Sequence, residues 1–218
     1  MLRLRFPFSF PFSFPFSFPV RGCVCVITLA AASAVGCQHS PSDAEAPGNY
    51  RTIRAEPLRN TDAARRAHEQ GLEHLNQQNL DLARPAFERA LTADVEYGPA
   101  HNSLGKVYYQ QQDWYRAAWE FEYAKKLMPR RPEPRNNLAL VLERAGELDR
   151  AIELYREAVG LDPDPIRYRA NLARALVRRG DRSREVRVLL EAILEEDTRP
   201  EWLTWAQTQL TSKGWRFE

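Results

Sequence analysis

The sequence is poor in cysteine, and its few cysteines are confined to one end. Cys23, Cys25 and Cys37 all lie in the first 37 of 218 residues. The rest of the chain therefore offers no disulfide and no thiolate metal site. The four histidines lack metal-binding spacing, and no HExxH motif or glycine-rich phosphate loop is present. We therefore expect neither an enzyme nor a cofactor or metal.

The chain also lacks a strong charge of either sign. Its formal net charge is +2. Residues 1–36 hold three of the 31 basic residues and no acidic residue, so the remainder carries one more acid than base. Because nucleic-acid binding usually needs a basic excess, we expect no nucleic-acid partner.

The N-terminal segment is typical of an export signal. The apolar run Cys23–Val35 is short for a membrane span, which needs about 20 residues, but it fits the core of a signal peptide. It ends in Ala34-Val35-Gly36-Cys37, which resembles the lipobox of bacterial lipoproteins. The resemblance implies that Cys37 is acylated and, with Gln38 following, that the protein faces the periplasm from the outer membrane. An uncleaved anchor is the alternative.

Two further segments flank this signal. Residues 6–19 are a low-complexity tract of Phe-Pro-Phe-Ser units, whose prolines oppose a regular helix. Translation starting later, at Val20, would leave a short and simple signal. Residues 37–63 are rich in polar residues and proline, and we interpret them as a flexible tether.

The strongest pattern in the chain is a period of 34 residues. Three sets of mostly small residues recur at this spacing: Gly71, Gly105, Ala139 and Ala173; Ala83, Ala117 and Ala151; Ala90, Ala124, Ala158 and Ala192. Glu185 interrupts the second set, which predicts loose packing or a shifted register there. A fixed period of this length is typical of a repeat array, in which each unit buries its apolar surface against its neighbours.

Each repeat contains two helical segments that flank a turn. In residues 98–131 the apolar offsets of three, four and seven predict two amphipathic helices. Asp113 is the predicted N-cap of the second helix. Gly146 and Gly180 are predicted to end the first helices of the next two units, since glycine suits the left-handed residue that follows a helix.

These residues resemble the tetratricopeptide repeat family. The motif positions in the second unit are Leu104, Gly105, Tyr108, Ala117, Phe121, Ala124 and Pro129. The resemblance implies an all-α, right-handed solenoid of about four helix pairs, at residues 64–97, 98–131, 132–165 and 166–199. Residues 200–218 would form a capping helix and a tail, with Trp202, Ala206 and Leu210 on its apolar stripe. An unrelated helical bundle is disfavoured because three sets of residues share one phase.

The resemblance also assigns the lining of a concave groove to the first helix of each pair. We select nine partner-binding residues from it: Asn102, Lys106, Tyr109, Asn137, Arg144, Arg167, Asn171, Arg174 and Arg178. Amides such as Asn137 and Asn171 can both donate to and accept from a peptide backbone. Arginines in the fourth unit favour an acidic segment or a free C-terminus. His68 and Leu72 replace the Lys and Asn of the family's chaperone-binding clamp, so that activity is not implied.

These observations predict a membrane-tethered scaffold in the cell envelope. It would bind protein partners through the groove, for example during assembly of a pilus, secretion or wall-synthesis complex. One alternative is a binder of anionic polymer through the eight arginines between Ile166 and Arg187. Another is a non-catalytic subunit of an envelope enzyme.

Overall fold

The computed structural model describes residues 59–212. Within this range the chain forms nine α-helices and no strand, which confirms the all-α prediction. The helices are α1 Thr61–Asn76, α2 Leu80–Ala93, α3 Gly98–Gln110, α4 Trp114–Leu127, α5 Pro132–Ala145, α6 Leu148–Leu161, α7 Ile166–Arg179, α8 Arg184–Glu196 and α9 Pro200–Thr211. The predicted signal segment, the Phe-Pro-Phe-Ser tract, most of the tether and the tail after Ser212 lie outside the described residues.

The helices stack in sequence order as a solenoid. Each helix packs against the next one along the chain, and α1, α3, α5 and α7 also contact one another in turn. The even-numbered helices of residues 59–212 make no comparable contacts among themselves. The odd-numbered helices therefore line the concave side of the stack, and the even-numbered helices form its outer side.

Close approach of backbone and aromatic ring holds each of the first two pairs together. A Cβ atom on Gly105 would lie 2.6 Å from Cε1 of Phe121, and one on Gly71 would lie 2.4 Å from the same atom of Phe87. Both rings are fully buried. The periodic small residue is thus required by the ring that packs on it.

Local signals define the helix ends. The Asp113 side chain accepts a hydrogen bond from the Arg116 amide, which confirms the predicted N-cap of α4. Gly146 and Gly180 follow α5 and α7 with φ angles of 85° and 93°. Such left-handed residues favour glycine, as predicted.

The fourth pair departs from the strict period. Glu185 is exposed, and Val186 takes the buried place that the period assigns to position 185. Likewise Ile193 is fully buried while Ala192 is half-buried, so the predicted column ending at Ala192 is wrong by one residue. The cause is the turn after α7, which delays the start of α8 until Arg184.

Helix α9 covers the end of the array. Ala206 is fully buried, and Trp202, Trp205 and Leu210 pack against the core. This burial suits a terminal element that shields the apolar side of α8. No helix within residues 59–212 is both long enough and apolar enough to cross a bilayer.

Substituting Gly105 with Ala should destabilise the fold by about 1–2 kcal/mol. The added methyl group overlaps the Phe121 ring, at a typical cost of about 1–3 kcal/mol. The better helix propensity of alanine offsets at most about 1 kcal/mol. Urea unfolding measures the change. The double variant Gly105→Ala/Phe121→Leu should recover part of the loss, and an unchanged midpoint in the single variant would refute the close-packing account.

Candidate functional site

The nine predicted partner-binding residues lie on α3, α5 and α7, the helices of the concave side; we call this surface the groove. Their exposure differs. Asn102 and Asn171 are buried, and Tyr109, Asn137 and Arg174 are half-buried. Lys106, Arg144, Arg167 and Arg178 are exposed.

Most side-chain hydrogen bonds between neighbouring groove helices join residues that are 35 positions apart, and the bonds from Arg174 to Glu143, at 31 positions, are the exception. Examples are His68 with Ser103, Asn102 with Asn137, Asn136 with Asn171, Tyr109 with Arg144 and Glu143 with Arg178. The repeat period is 34, and each bond reaches one residue further because the side chains lean along the adjacent helix. These bonds fix how one repeat sits on the next.

The groove amides bond to one another. Nδ2 of Asn171 donates to Oδ1 of Asn136 at 2.8 Å, Nδ2 of Asn136 donates to Oδ1 of Asn137 at 3.3 Å, and Nδ2 of Asn137 donates to Oδ1 of Asn102 at 2.9 Å. The periodic selection of Asn137 and Asn171 overlooked Asn136, which links the two. Each amide nitrogen carries two N–H groups, and these bonds use one of them.

A buried carboxylate organises the two predicted arginines of α7. Glu143 on α5 is 3% exposed. Its oxygens accept from Nε and Nη2 of Arg174 at 3.0 and 2.9 Å, from Nη1 of Arg178 at 2.7 Å and from the Tyr155 hydroxyl at 2.9 Å. This fork-to-carboxylate geometry is the strong form of ion pair.

The protonation of this cluster follows from its contacts. Burial by itself would raise the pKa of Glu143, but hydrogen bonds and charge from Arg174, with help from Arg178 and Tyr155, hold that pKa below its ordinary value of 4.5. Burial and the Glu143 charge raise the pKa of Tyr155. Glu143 is therefore ionised and Tyr155 neutral at physiological pH.

The cluster changes the interpretation of Arg174 and Arg178. Both lie on the groove side as expected, but an internal carboxylate already pairs with them. The available signal in the sequence was a glutamate on the same face, 31 and 35 residues before the two arginines.

Three other groove cations have no carboxylate within ion-pair distance among residues 59–212: Lys106, Arg144 and Arg167. Arg144 donates to the Tyr109 hydroxyl at 3.3 Å. Arg167 lies over the Tyr168 ring, 4.6 Å from its centroid. Desolvation by the surrounding groove atoms lowers the pKa of Lys106, and the positive charge of Arg167 lowers it further, although the side chain is still accessible to solvent. These three groove cations have no ion-pair partner in the described range, although the charge of Glu133 acts on Lys106 and Arg167 and the charge of Glu143 acts on Arg144.

Substituting Glu143 with Gln should destabilise the protein by about 2 kcal/mol at pH 7, since two guanidinium groups lose a charged acceptor. The pKa of Glu143 is lower in the folded chain, so its contribution is complete above pH 4.5 and is lost as the pH falls through the lowered value. Unfolding measured from pH 7 to pH 3 should show the gap between the two proteins narrowing with acid. A gap that is constant with pH would contradict the charged pairing.

Comparison with known proteins agrees with this architecture. Two family profiles described as tetratricopeptide repeat match residues 68–132 and 132–175. No curated protein matched the sequence. The structure titled "First TPR of Spaghetti (RPAP3) bound to HSP90 peptide SRMEEVD" is 14% identical, with a TM-score of 0.55, and the match covers 58% of this chain and 100% of that chain.

Two further solved structures are similar as well. YrrB, titled a TPR protein with an unusual peptide-binding site, is 20% identical over 68% of this chain and 76% of its own, with a TM-score of 0.56. A Thermobaculum terrenum O-GlcNAc transferase mutant is 22% identical over 62% of this chain but 26% of its own, with a TM-score of 0.58. At such identities the likeness concerns the fold. With the matched profiles, it shows that residues 68–175 of this chain are tetratricopeptide repeats.

Proposed function

We propose that this protein is a membrane-tethered scaffold whose groove binds an extended acidic segment, or a free C-terminus, of a partner protein. The observation that supports this proposal most is the set of groove cations without an ion-pair partner, Lys106, Arg144 and Arg167, beside the row of amides. A cation without an ion-pair partner can form a charge-assisted hydrogen bond with an incoming carboxylate.

Lys106 and Arg167 are the best candidates to receive that carboxylate. They lie on α3 and α7, on either side of Asn137 of α5, and the charge of Arg167 acts on the pKa of Lys106. Asn137 has a second N–H available for a backbone carbonyl of the same ligand. An extended chain crossing these helices would meet a cation, an amide and a second cation in turn.

Arg174 and Arg178 have a supporting role in this proposal. Glu143 neutralises one of their two charges, so the cluster keeps a net positive charge. Arg178 is exposed and can contribute to long-range attraction. Direct pairing with a partner would have to compete with a buried internal carboxylate.

The presence of these repeats supports a binding role. Tetratricopeptide repeats are generally protein-interaction modules, and the RPAP3 structure is titled as holding an acidic HSP90 peptide. The same role is proposed here from this chain's own groove. The transferase similarity covers 26% of that chain and supplies no support for catalysis.

The location in the cell envelope is proposed from the sequence. The lipobox-like Ala34-Val35-Gly36-Cys37 supports acylation of Cys37, and the polar segment after it is long enough to hold the repeats off a bilayer. A scaffold held in this way would gather components of an envelope complex. Binding of an anionic polymer by the fourth unit has less support, because Arg169, Arg174, Arg178 and Arg179 already pair with carboxylates.

Removal of the groove cations should release the partner. A photo-crosslinking residue placed at Leu140, in the groove, should capture a protein in cells. Lys106→Ala and Arg167→Ala should each weaken binding of the captured acidic segment about tenfold, since each loses a charge-assisted hydrogen bond. Fluorescence anisotropy with a labelled peptide of that segment measures the affinity.

The matched control is Arg150→Ala, an exposed arginine on the outer helix α6, which should bind as the unmodified protein does. Equal affinity of Lys106→Ala, Arg167→Ala and Arg150→Ala would reject the groove assignment.

Substituting Cys37 should abolish lipid attachment and, with it, the cleavage in front of residue 37. Cys37→Ser removes the thiol that would carry the lipid, while Cys23→Ser and Cys25→Ser serve as controls because those residues would leave with the signal. Cell fractionation and intact-mass measurement report the outcome. If the intact mass of the unmodified mature protein corresponds to a chain that starts before residue 37, the lipoprotein proposal is refuted.

A further inference from the structure

An exposed aromatic face lies on the outer helix α4, away from the groove. It consists of Tyr115, Trp119 and Tyr123, which follow one another at four-residue intervals and so share one side of the helix. Tyr115 is 72% exposed and Trp119 is 56% exposed. We call this surface the α4 aromatic face.

The repeat architecture does not account for these aromatics. At the same positions of the first repeat the chain has Asp81, Pro85 and Arg89, and in the third repeat it has Asp149, Glu153 and Glu157. Those two outer helices pack in the array without exposed rings at these places. The exposed rings of Tyr115 and Trp119 are thus not required for packing of the array.

Contacts with underlying residues restrict the motion of the α4 aromatic face. The Trp119 and Tyr123 rings are parallel, with an interplanar angle of 3° and centroids 5.5 Å apart. Tyr123 in turn meets the edge of the buried His101 ring at 4.6 Å. His101 is fixed by Glu120 at 2.7 Å and by the Val95 carbonyl at 2.8 Å. A fixed ring loses little conformational entropy when it docks.

Basic residues border the C-terminal end of the same face. Lys126 falls on the same side of α4, with its Nζ 6.0 Å from the Tyr123 ring centroid. Arg130, in the turn that follows α4, is exposed. Lys125 lies beside them and pairs with Glu122. Aromatic rings followed by cations match the interfacial region of an anionic bilayer, where rings sit among the headgroups and cations meet phosphate.

We propose that the α4 aromatic face is a docking surface for an anionic lipid bilayer. The outer position of α4 supports this occupant, because a convex surface can meet a flat membrane while a concave one cannot. Docking through α4 would leave the groove of α3, α5 and α7 facing away from the lipid. The inference goes beyond partner binding and adds an orientation that a flexible tether alone would not impose.

The test uses the mature chain from residue 37 with Cys37→Ser, so that neither an acyl chain nor the apolar run Cys23–Val35 contributes. It is mixed with vesicles of phosphatidylcholine and phosphatidylglycerol, with and without bromine on the upper acyl chain. Brominated lipid should quench tryptophan fluorescence. Trp119→Phe should keep the binding but remove a large part of the quenching, which places the contact at this residue rather than at another tryptophan.

Affinity should depend on the rings and on charge. Tyr115→Ala/Trp119→Ala should weaken vesicle binding about tenfold, since two partly exposed aromatic surfaces no longer enter the interface. Lys126→Glu should weaken binding to anionic vesicles and leave binding to pure phosphatidylcholine unchanged. The control, Asp149→Ala/Glu153→Ala, changes the equivalent positions of α6 and should have no such loss. Circular dichroism melts check that each variant is folded.

Two results would overturn the proposal. One is undiminished quenching in Trp119→Phe together with equal vesicle affinity in the double aromatic variant. The other is a double variant that binds vesicles normally but loses a protein that is crosslinked in cells through a residue placed at exposed Glu122 of α4, which would make the face a protein interface instead.

Discussion

The contact between a helix backbone and an aromatic ring on the next helix sets the geometry of the first two helix pairs, from which the array is built. Gly105 lets Phe121 lie directly on the α3 backbone, and Gly71 does the same for Phe87. This contact fixes the separation within a helix pair. Repetition at 34 residues then brings α1, α3, α5 and α7 side by side, which creates one continuous concave surface.

The concave surface is partly occupied by its own side chains. Bonds between residues 35 apart connect neighbouring helices, and the Glu143 carboxylate satisfies two arginines that would otherwise repel each other. Such pairing stabilises the curvature, but it also removes those groups from direct competition for a ligand. What remains for a partner is the set of cations without an ion-pair partner and the second N–H of half-buried Asn137.

The two sides of the array have different chemistry. The groove combines amides with cations, whereas α4 on the outer side presents aromatic rings and a basic end. A solenoid permits this division because each repeat contributes one helix to each side. A protein held near a bilayer by its outer side would keep its groove accessible to other proteins.

The sequence by itself determined the helix pairs, their order and the side that each helix presents. The helix-end signals Asp113, Gly146 and Gly180 are local, and the 34-residue period is a pattern along the chain. Both kinds of feature can be recognised from the sequence without a structure. The sequence did not predict that the buried position of the fourth pair moves by one residue, from Glu185 to Val186. The length of the turn before α8 causes this shift, and that length depends on how the helices pack.

Only the tertiary structure decided which groove residues are free. Glu143 and Arg178 are 35 residues apart, and the sequence around each of them does not indicate that they pair. The same holds for the amide bonds through Asn136 and for the exposure of Trp119. Periodicity places a residue on a face, but its charge partner is set by the neighbouring repeat, at a distance that only folding brings within reach.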